Sequence, residues 1–250
     1  MKAFIYAAGS ASRLGPIAKS TPKVLLEFGG RTLLEWHVHR LAAAGVNEIR
    51  VVTGHLREAV VKAIGSLKGR YAAEVSEIHN PDFQEGSVLS MAVMINEAEL
   101  CDPEVLLMDG DVLYDERMLP LLLSSPHPTA LLIDRGYSAA DDDPVLVPIM
   151  EGRPVDFVKR WRGEADQVGE SVGFFKVSSA DLTEFAREVR SRSRGAGRMD
   201  SYHDVIRTMV LDGRFGHEDA TGLPWIEIDF PQDITLARDR VAPLIFRSDD

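Results

Sequence analysis

Short apolar runs alternate with amphipathic stretches along the first 135 residues, and this rhythm limits the fold more than any other feature. Residues 3–7, 48–53, 74–79, 104–108 and 129–134 read as strands. Between them, residues 32–44, 56–64, 86–98 and 116–123 read as helices; Val88, Met91, Ala92 and Ile95 fall on one helical face, and Gly45 is placed to end the first helix. A β-α-β-α order predicts an α/β, Rossmann-like fold: a mixed, mostly parallel sheet with helices on both faces. After residue 135 the rhythm breaks at Pro144, Pro148, Gly152 and Pro154. Strands at 145–150 and 171–177 need not be parallel. We read residues 135–177 as a small substrate subdomain at one edge of a single domain spanning 1–250. Helices at 180–190 and 202–211, joined by a loop at 191–198, then a strand at 225–229 and a helix at 231–241, complete the chain, with a frayed tail at 247–250.

Charge narrows the choice of partner. The 250 residues carry 28 basic and 39 acidic side chains, a net charge of −11. Nucleic-acid and membrane-surface binders are normally basic, so neither partner is expected. No apolar run is long enough to span a bilayer. The one cysteine, Cys101, excludes an intrachain disulfide, and with no signal-peptide pattern at Met1–Tyr6 the expected location is cytoplasmic. An acidic chain that handles an anion must gather cations locally or recruit a metal ion.

The first strand leads into Ala7-Ala8-Gly9-Ser10-Ala11-Ser12-Arg13-Leu14-Gly15. Small residues there leave backbone N–H groups open to phosphate oxygens. The dinucleotide fingerprint fails, because Ala11 and Leu14 stand where its second and third glycines belong, and no Gly-Lys-Ser/Thr closes a P-loop. Arg13 and Pro22-Lys23 flank the loop instead. Two cations suit a polyphosphate; a tight turn with two solvated cations is the alternative.

Ala7-Ala8-Gly9, Arg13 and Pro22-Lys23 resemble the opening signature of the nucleotidyltransferases that join a nucleoside monophosphate to a phosphorylated small molecule, with Ala11 in place of the family's second glycine. The resemblance continues at Val51–Gly54, Asn80-Pro81, Gly86-Ser87, Asp109-Gly110-Asp111, Gly173-Phe174-Phe175 and Trp225–Asp229, and so spans nearly the whole chain. It implies a nucleotide-diphospho-sugar transferase-like fold. It also implies Arg13 on the β- and γ-phosphates, Lys23 on the α-phosphate, and nucleotide contacts from Ala7, Ala8, Gly9, Ser10, Ala11, Ser87 and Asp109. Carboxylates beside a polyphosphate need a bridging cation, and hard oxygen ligands imply Mg²⁺. Asp111 fits the family's first metal ligand, with Asp109 its neighbour and competitor. Asp229 fits the second, with Asp233 next in line, although both acids also suit the start of a helix.

The segments 80–91 and 225–233 resemble the short cytidylyltransferase branch, which acts on phosphocholine, 2-aminoethylphosphonate and related phosphonates. This resemblance implies CTP and a small phosphorylated or phosphonate acceptor. An amine on the acceptor would want aromatics and acids together: Tyr137, Trp161 and Tyr202 with Asp141, Asp142, Glu170, Asp200 and Asp204. The resemblance implies a second phosphate lysine at Lys159; a solvated strand end is the alternative. His37 and His39 are expected on a helix surface. Cys101 has no nucleophile pattern around it, and the arginines from Arg187 to Arg198 read as a solvated helix end. The rival functions are a sugar- or polyol-1-phosphate nucleotidyltransferase and a non-catalytic nucleotide-binding subunit; a homodimer is left open.

Overall fold

The computed structural model describes residues 1–98, 104–137 and 143–246. Cys101, Asp141, Asp142 and residues 247–250 lie outside them. The chain opens with β1 (Lys2–Ala7), then 3-10 turns at Ser12–Lys19 and Lys23–Leu25, and a tight hairpin of β2 (Glu27–Phe28) and β3 (Arg31–Thr32). Next come α1 (Leu33–Ala43), β4 (Glu48–Thr53), α2 (Arg57–Leu67), β5 (Glu74–His79), α3 (Val88–Ala98), β6 (Glu104–Asp109), β7 (Val112–Tyr114), α4 (Met118–Leu123) and β8 (Ala130–Asp134). The second half holds β9 (Leu146–Met150), β10 (Arg153–Pro154), β11 (Gln167–Ser178), α5 (Ser179–Arg192), α6 (Tyr202–Leu211), β12 (Gly216–Asp219), β13 (Trp225–Glu227), α7 (Pro231–Leu236) and α8 (Ala242–Ile245).

Among the described residues nine strands form one sheet. Its parallel block runs β5-β4-β1-β6. β1 and β6 are covered on both faces, which is why they read as near-continuous apolar runs, while β5 at the edge buries only Val75. One face packs on α3, α5 and α6 through Phe4, Met91, Phe175 and Phe185. The other packs on α1, α2 and α4 through Ile5, Leu34, Leu106 and Tyr114. Beyond β6 the strand direction, which the sequence left open, is antiparallel for every partner of β11, while β12 joins β8 in parallel. β11 pairs β6 through Phe174–Ser178 and β9 through Gln167–Glu170, with β8 on its other edge. Its register shifts between Ser171 and Phe175, and Gly173 takes φ +80° in the shifted stretch.

Two local arrangements position the site. Gly110 donates its N–H to the Tyr6 carbonyl at 3.0 Å, and an added Cβ there would lie 2.6 Å from the same oxygen. Only glycine lets the β6–β7 turn press this closely on the end of β1. β7 then pairs β13, with Val112 opposite Glu227, and the Ile228 N–H reaches the Asp111 carbonyl at 3.0 Å. A third core of Leu14, Phe28, Leu33, Leu113, Ile228 and Ile234 holds the first loop against this ladder.

The structure departs from the sequence expectation at His37 and in the last helix, among other places. His37 is fully buried, with its ring centroid 5.3 Å from that of Tyr114, because β7 covers this face of α1. The expected helix at 231–241 breaks after Leu236 into a π turn at Ala237–Val241, followed by α8. Pro243 has no N–H to continue the ladder.

Candidate active site

The loop after β1, the β6–β7 turn and the end of β13 meet at one edge of the sheet. The Lys23 ammonium lies between two carboxylates, 2.7 Å from Asp111 Oδ2 and 2.5 Å from Asp229 Oδ1. Arg13 holds the other oxygen of Asp229 at 3.0 Å and Asp143 Oδ2 at 3.2 Å. Lys159 also reaches Asp143, at 3.0 Å from its carboxylate and 2.9 Å from its carbonyl. The result is a line of alternating charge: Lys159, Asp143, Arg13, Asp229, Lys23, Asp111. Burial works to lower the pKa of Lys23, but Asp111 and Asp229 outweigh it and hold the ammonium charged. Burial likewise works to raise Asp229, yet Lys23 and Arg13 bring its carboxyl below the ordinary range.

Asp111, Glu227 and Asp229 each offer an oxygen, all within 4.8 Å of one another. Three hard donors converging around a point already occupied by positive charge fit a divalent ion. Glu227 opens on a cavity, but the protein mass around it strips part of its hydration, and Asp111 and Asp229 add repulsion; its carboxyl titrates well above the usual range. Asp109 points elsewhere. Its Oδ2 accepts the Tyr202 hydroxyl at 2.5 Å, and desolvation, then the charge of Asp111, push it up to about 8. Asp233 accepts the N–H groups of Asp229 and Phe230 at 2.9 and 2.6 Å, so it caps α7.

A recess of about 80 Å³ is lined by Ala7, Gly9, Ala11, Lys23 and Asp111. Ala11 stands at φ +52°, the left-handed region that favours glycine. Beside the carboxylates opens a cavity of about 530 Å³, with Asp134, Asp143, Glu170, Glu227 and Asp229 in its wall next to Tyr137 and Trp225.

Residues 3–185 match the family described as the MobA-like NTP transferase domain. The chain belongs to that family. It is 31 % identical over 263 residues to the CMP-5'-(3-aminopropyl)phosphonate synthase of Streptomyces rubellomurinus, covering 97 % of this chain and 39 % of that protein. It is 30 % identical over 241 residues to the bifunctional IPC transferase and DIPP synthase of Rubrobacter xylanophilus, covering 96 % of this chain and 51 % of the relative. The chain thus spans about half the length, or less, of these two relatives. The inositol-1-phosphate CTP transferase from T. maritima shares its fold at a TM-score of 0.74 and 21 % identity, covering 98 % of this chain and 94 % of that one.

The domain brings Arg13, Lys23, Asp111, Asp229 and Lys159 into one network. Ser87 is exposed and accepts the Tyr202 N–H at 3.0 Å, at the start of α6. Tyr202 itself stacks on Tyr6, centroids 5.6 Å apart, and faces Asp109 instead of the acidic cavity. Glu170 and Tyr137 line that cavity. Trp161 does not; its ring lies against Gly163. Asp200 pairs with Arg192, and Asp204 caps α6. The arginine run is tied down by ion pairs: Arg187 to Glu184, Arg192 to Glu188, and Arg198 to Glu85 and Asp82. Sequence reasoning missed Glu227, Asp143, Asp134 and Trp225. The signal for two of them was present: Trp225, Glu227 and Asp229 alternate along a strand and so share a face.

Proposed function

We propose that this domain transfers CMP from CTP to a small phosphonate or phosphate acceptor carrying a cationic amino end, releasing pyrophosphate. The cavity beside Asp229 carries this reading. Asp134, Asp143, Glu170 and Glu227 converge there with Tyr137 and Trp225. Asp134 is held in place by the Trp225 indole N–H at 2.9 Å and the Gly136 N–H at 2.7 Å. A wall of fixed acids and aromatic rings suits an ammonium. A polyol would offer these carboxylates hydroxyls and no positive charge, whereas an ammonium complements Asp134 beside the Trp225 ring. The name of the Streptomyces relative supports both the cytidylyl group and the aminoalkyl phosphonate, and the inositol-1-phosphate CTP transferase of like fold keeps a polyol phosphate as the second reading. We assign residues 135–177 to acceptor binding, since Asp143 and Glu170 both lie within them. A cytoplasmic location suits a chain with a single cysteine that uses a nucleotide substrate.

The acceptor is already an anion, so no general base is needed. Its phosphoryl oxygen attacks the α-phosphorus; that O–P bond forms while the bond to the bridging oxygen breaks and pyrophosphate leaves. Two unit charges 4 Å apart repel by about 4 kcal/mol at an effective dielectric near 20. Lys23 offsets this repulsion at the α-phosphate, and Arg13 steadies the departing β- and γ-phosphates. Asp111, Glu227 and Asp229 would hold Mg²⁺, which supplies further charge neutralisation on triphosphate oxygens when bound. The open backbone of Ala7–Ala11 and the Ser87 hydroxyl face the nucleotide.

Pyrophosphate release tests the reading, with CTP, UTP, ATP and GTP each offered 2-aminoethylphosphonate, phosphocholine, hydroxyethylphosphonate and inositol-1-phosphate. CTP with an amino-bearing acceptor is expected to be fastest. Preference for UTP removes the cytidylyl assignment, and preference for inositol phosphate promotes the polyol reading.

A further inference from the structure

Lys23 holds the oxygens that a divalent ion would need. Its ammonium takes Asp111 Oδ2 and Asp229 Oδ1, while Arg13 takes the remaining Asp229 oxygen. An ammonium 2.5–2.7 Å from those atoms and a divalent ion bound to them are like charges competing for one place. Metal binding is therefore an exchange in which Lys23 must leave. The Lys23 side chain is only 16 % exposed, so a displaced ammonium cannot simply turn into water. Without a new anion it would be a buried, unpaired charge, which is strongly unfavourable. The recess that Lys23 lines with Ala7, Gly9 and Ala11 is where such an anion fits. Conversely, a nucleotide that draws Lys23 away without a metal leaves Asp111 and Asp229 facing each other and the nucleotide's own phosphates.

We propose that Lys23 is the built-in counter-ion of the metal carboxylates, so that divalent cation and nucleotide enter by one exchange and each strengthens the binding of the other. This rests on the nucleotidyl-transfer reading of the same site. It gives Lys23 a second role beside the α-phosphate. In the resting site it suppresses metal binding; in the loaded site it holds the substrate. The coupling is reciprocal by thermodynamic necessity.

Equilibrium binding without any acceptor tests it. With Mn²⁺ as the probe and no nucleotide, Lys23→Met should bind the ion at least about tenfold more tightly than the unaltered chain, within the usual range of coupling between sites. Lys23→Arg keeps the charge and should stay near the unaltered value. In the second arm, α,β-methylene-CTP is titrated in EDTA. Asp111→Asn loosens the hold on Lys23 and should bind this metal-free nucleotide several-fold more tightly than the unaltered chain. Thermal melting confirms that each variant folds, and Lys23→Gln stands in if the methionine variant does not. Equal or weaker Mn²⁺ binding by a folded, charge-free Lys23 variant overturns the proposal, as does unchanged or weakened nucleotide binding by Asp111→Asn. Neither arm needs turnover, so a wrong acceptor leaves both readable. If the nucleotide does not bind at all, the functional reading falls while the Mn²⁺ arm still reports on Lys23.

Discussion

His37 is fully buried against Tyr114 and Phe174, and burial first, then the charge of Arg40, lowers its pKa to about 3. In the unfolded chain the same imidazole titrates near 6.5. Below that pH the unfolded state binds the extra proton and the folded state does not, so stability is full above about 6.5 and falls as pH drops toward 3. Asp109, pushed up to about 8 by burial and Asp111, acts the other way: its contribution falls as pH rises from the ordinary carboxylate value. The slope for the whole chain mixes the two, and a difference separates them. The stability of the unaltered chain minus that of His37→Leu should shrink by about 2 kcal/mol between pH 7 and pH 5. Urea titrations at the two pH values measure it, and a difference that does not change means that His37 titrates normally in the fold. At this scale the sequence was legible where the chemistry repeats a pattern. Arg13, Lys23, Asp111 and Asp229 do meet, because strand ends on one sheet edge converge. The burial of His37 was not legible, since nothing in the H-x-H spacing reports that β7 will lie across α1.

β11 changes partners along its length, and Gly173 marks where it does so. At φ +80° a side chain is strained, and an added Cβ would meet the Asp109 carboxylate. Gly173→Ala should therefore lower stability by about 1–3 kcal/mol, read from the urea midpoint at constant slope. A midpoint within error of the unaltered chain would mean that the register shift does not depend on this glycine. The carboxylate should also be pushed against Tyr202, whose backbone N–H reaches Ser87, so nucleotide affinity should weaken in the same variant. The long strands and helices were readable because each carries enough apolar positions to show its period. β2, β3, β7, β10 and β12 have two to four residues each, too few to show one. Yet β7 is the element that sets Asp111 beside Asp229. The expected strand at 171–177 starts four residues late because Gly169 and Glu170 look like loop until β9 is there to pair with them.

The whole molecule carries a net charge of −11, and the cavity beside Asp229 gathers Asp134, Asp143, Glu170 and Glu227. A negative protein repels phosphate-bearing molecules, so overall steering would give no advantage to either proposed substrate. In the proposed reaction only an amino end on the acceptor would meet a favourable field, and it would do so locally. Two acceptors that share the phosphonate and differ at the far end isolate this effect. For 2-aminoethylphosphonate against hydroxyethylphosphonate, every phosphate-related repulsion is common to both and cancels in the ratio of kcat/KM. Salt screens what remains: the Debye length falls from about 10 Å at 0.1 M to about 3 Å at 1 M. The cavity is open to solvent at its mouth, so its acids are reached by this screening, whereas the close Lys23 contacts with Asp111 and Asp229 are screened far less. The amine-to-hydroxyl ratio should therefore exceed one at 0.1 M NaCl and drop several-fold at 1 M, with Mg²⁺ and CTP held saturating. Asp134→Asn should lower the ratio at low salt and flatten its salt dependence, since the amide keeps an acceptor for the Trp225 N–H but loses the charge. A ratio that stays constant with salt would place the amine outside the acidic cavity and would leave the polyol reading the stronger account of these carboxylates.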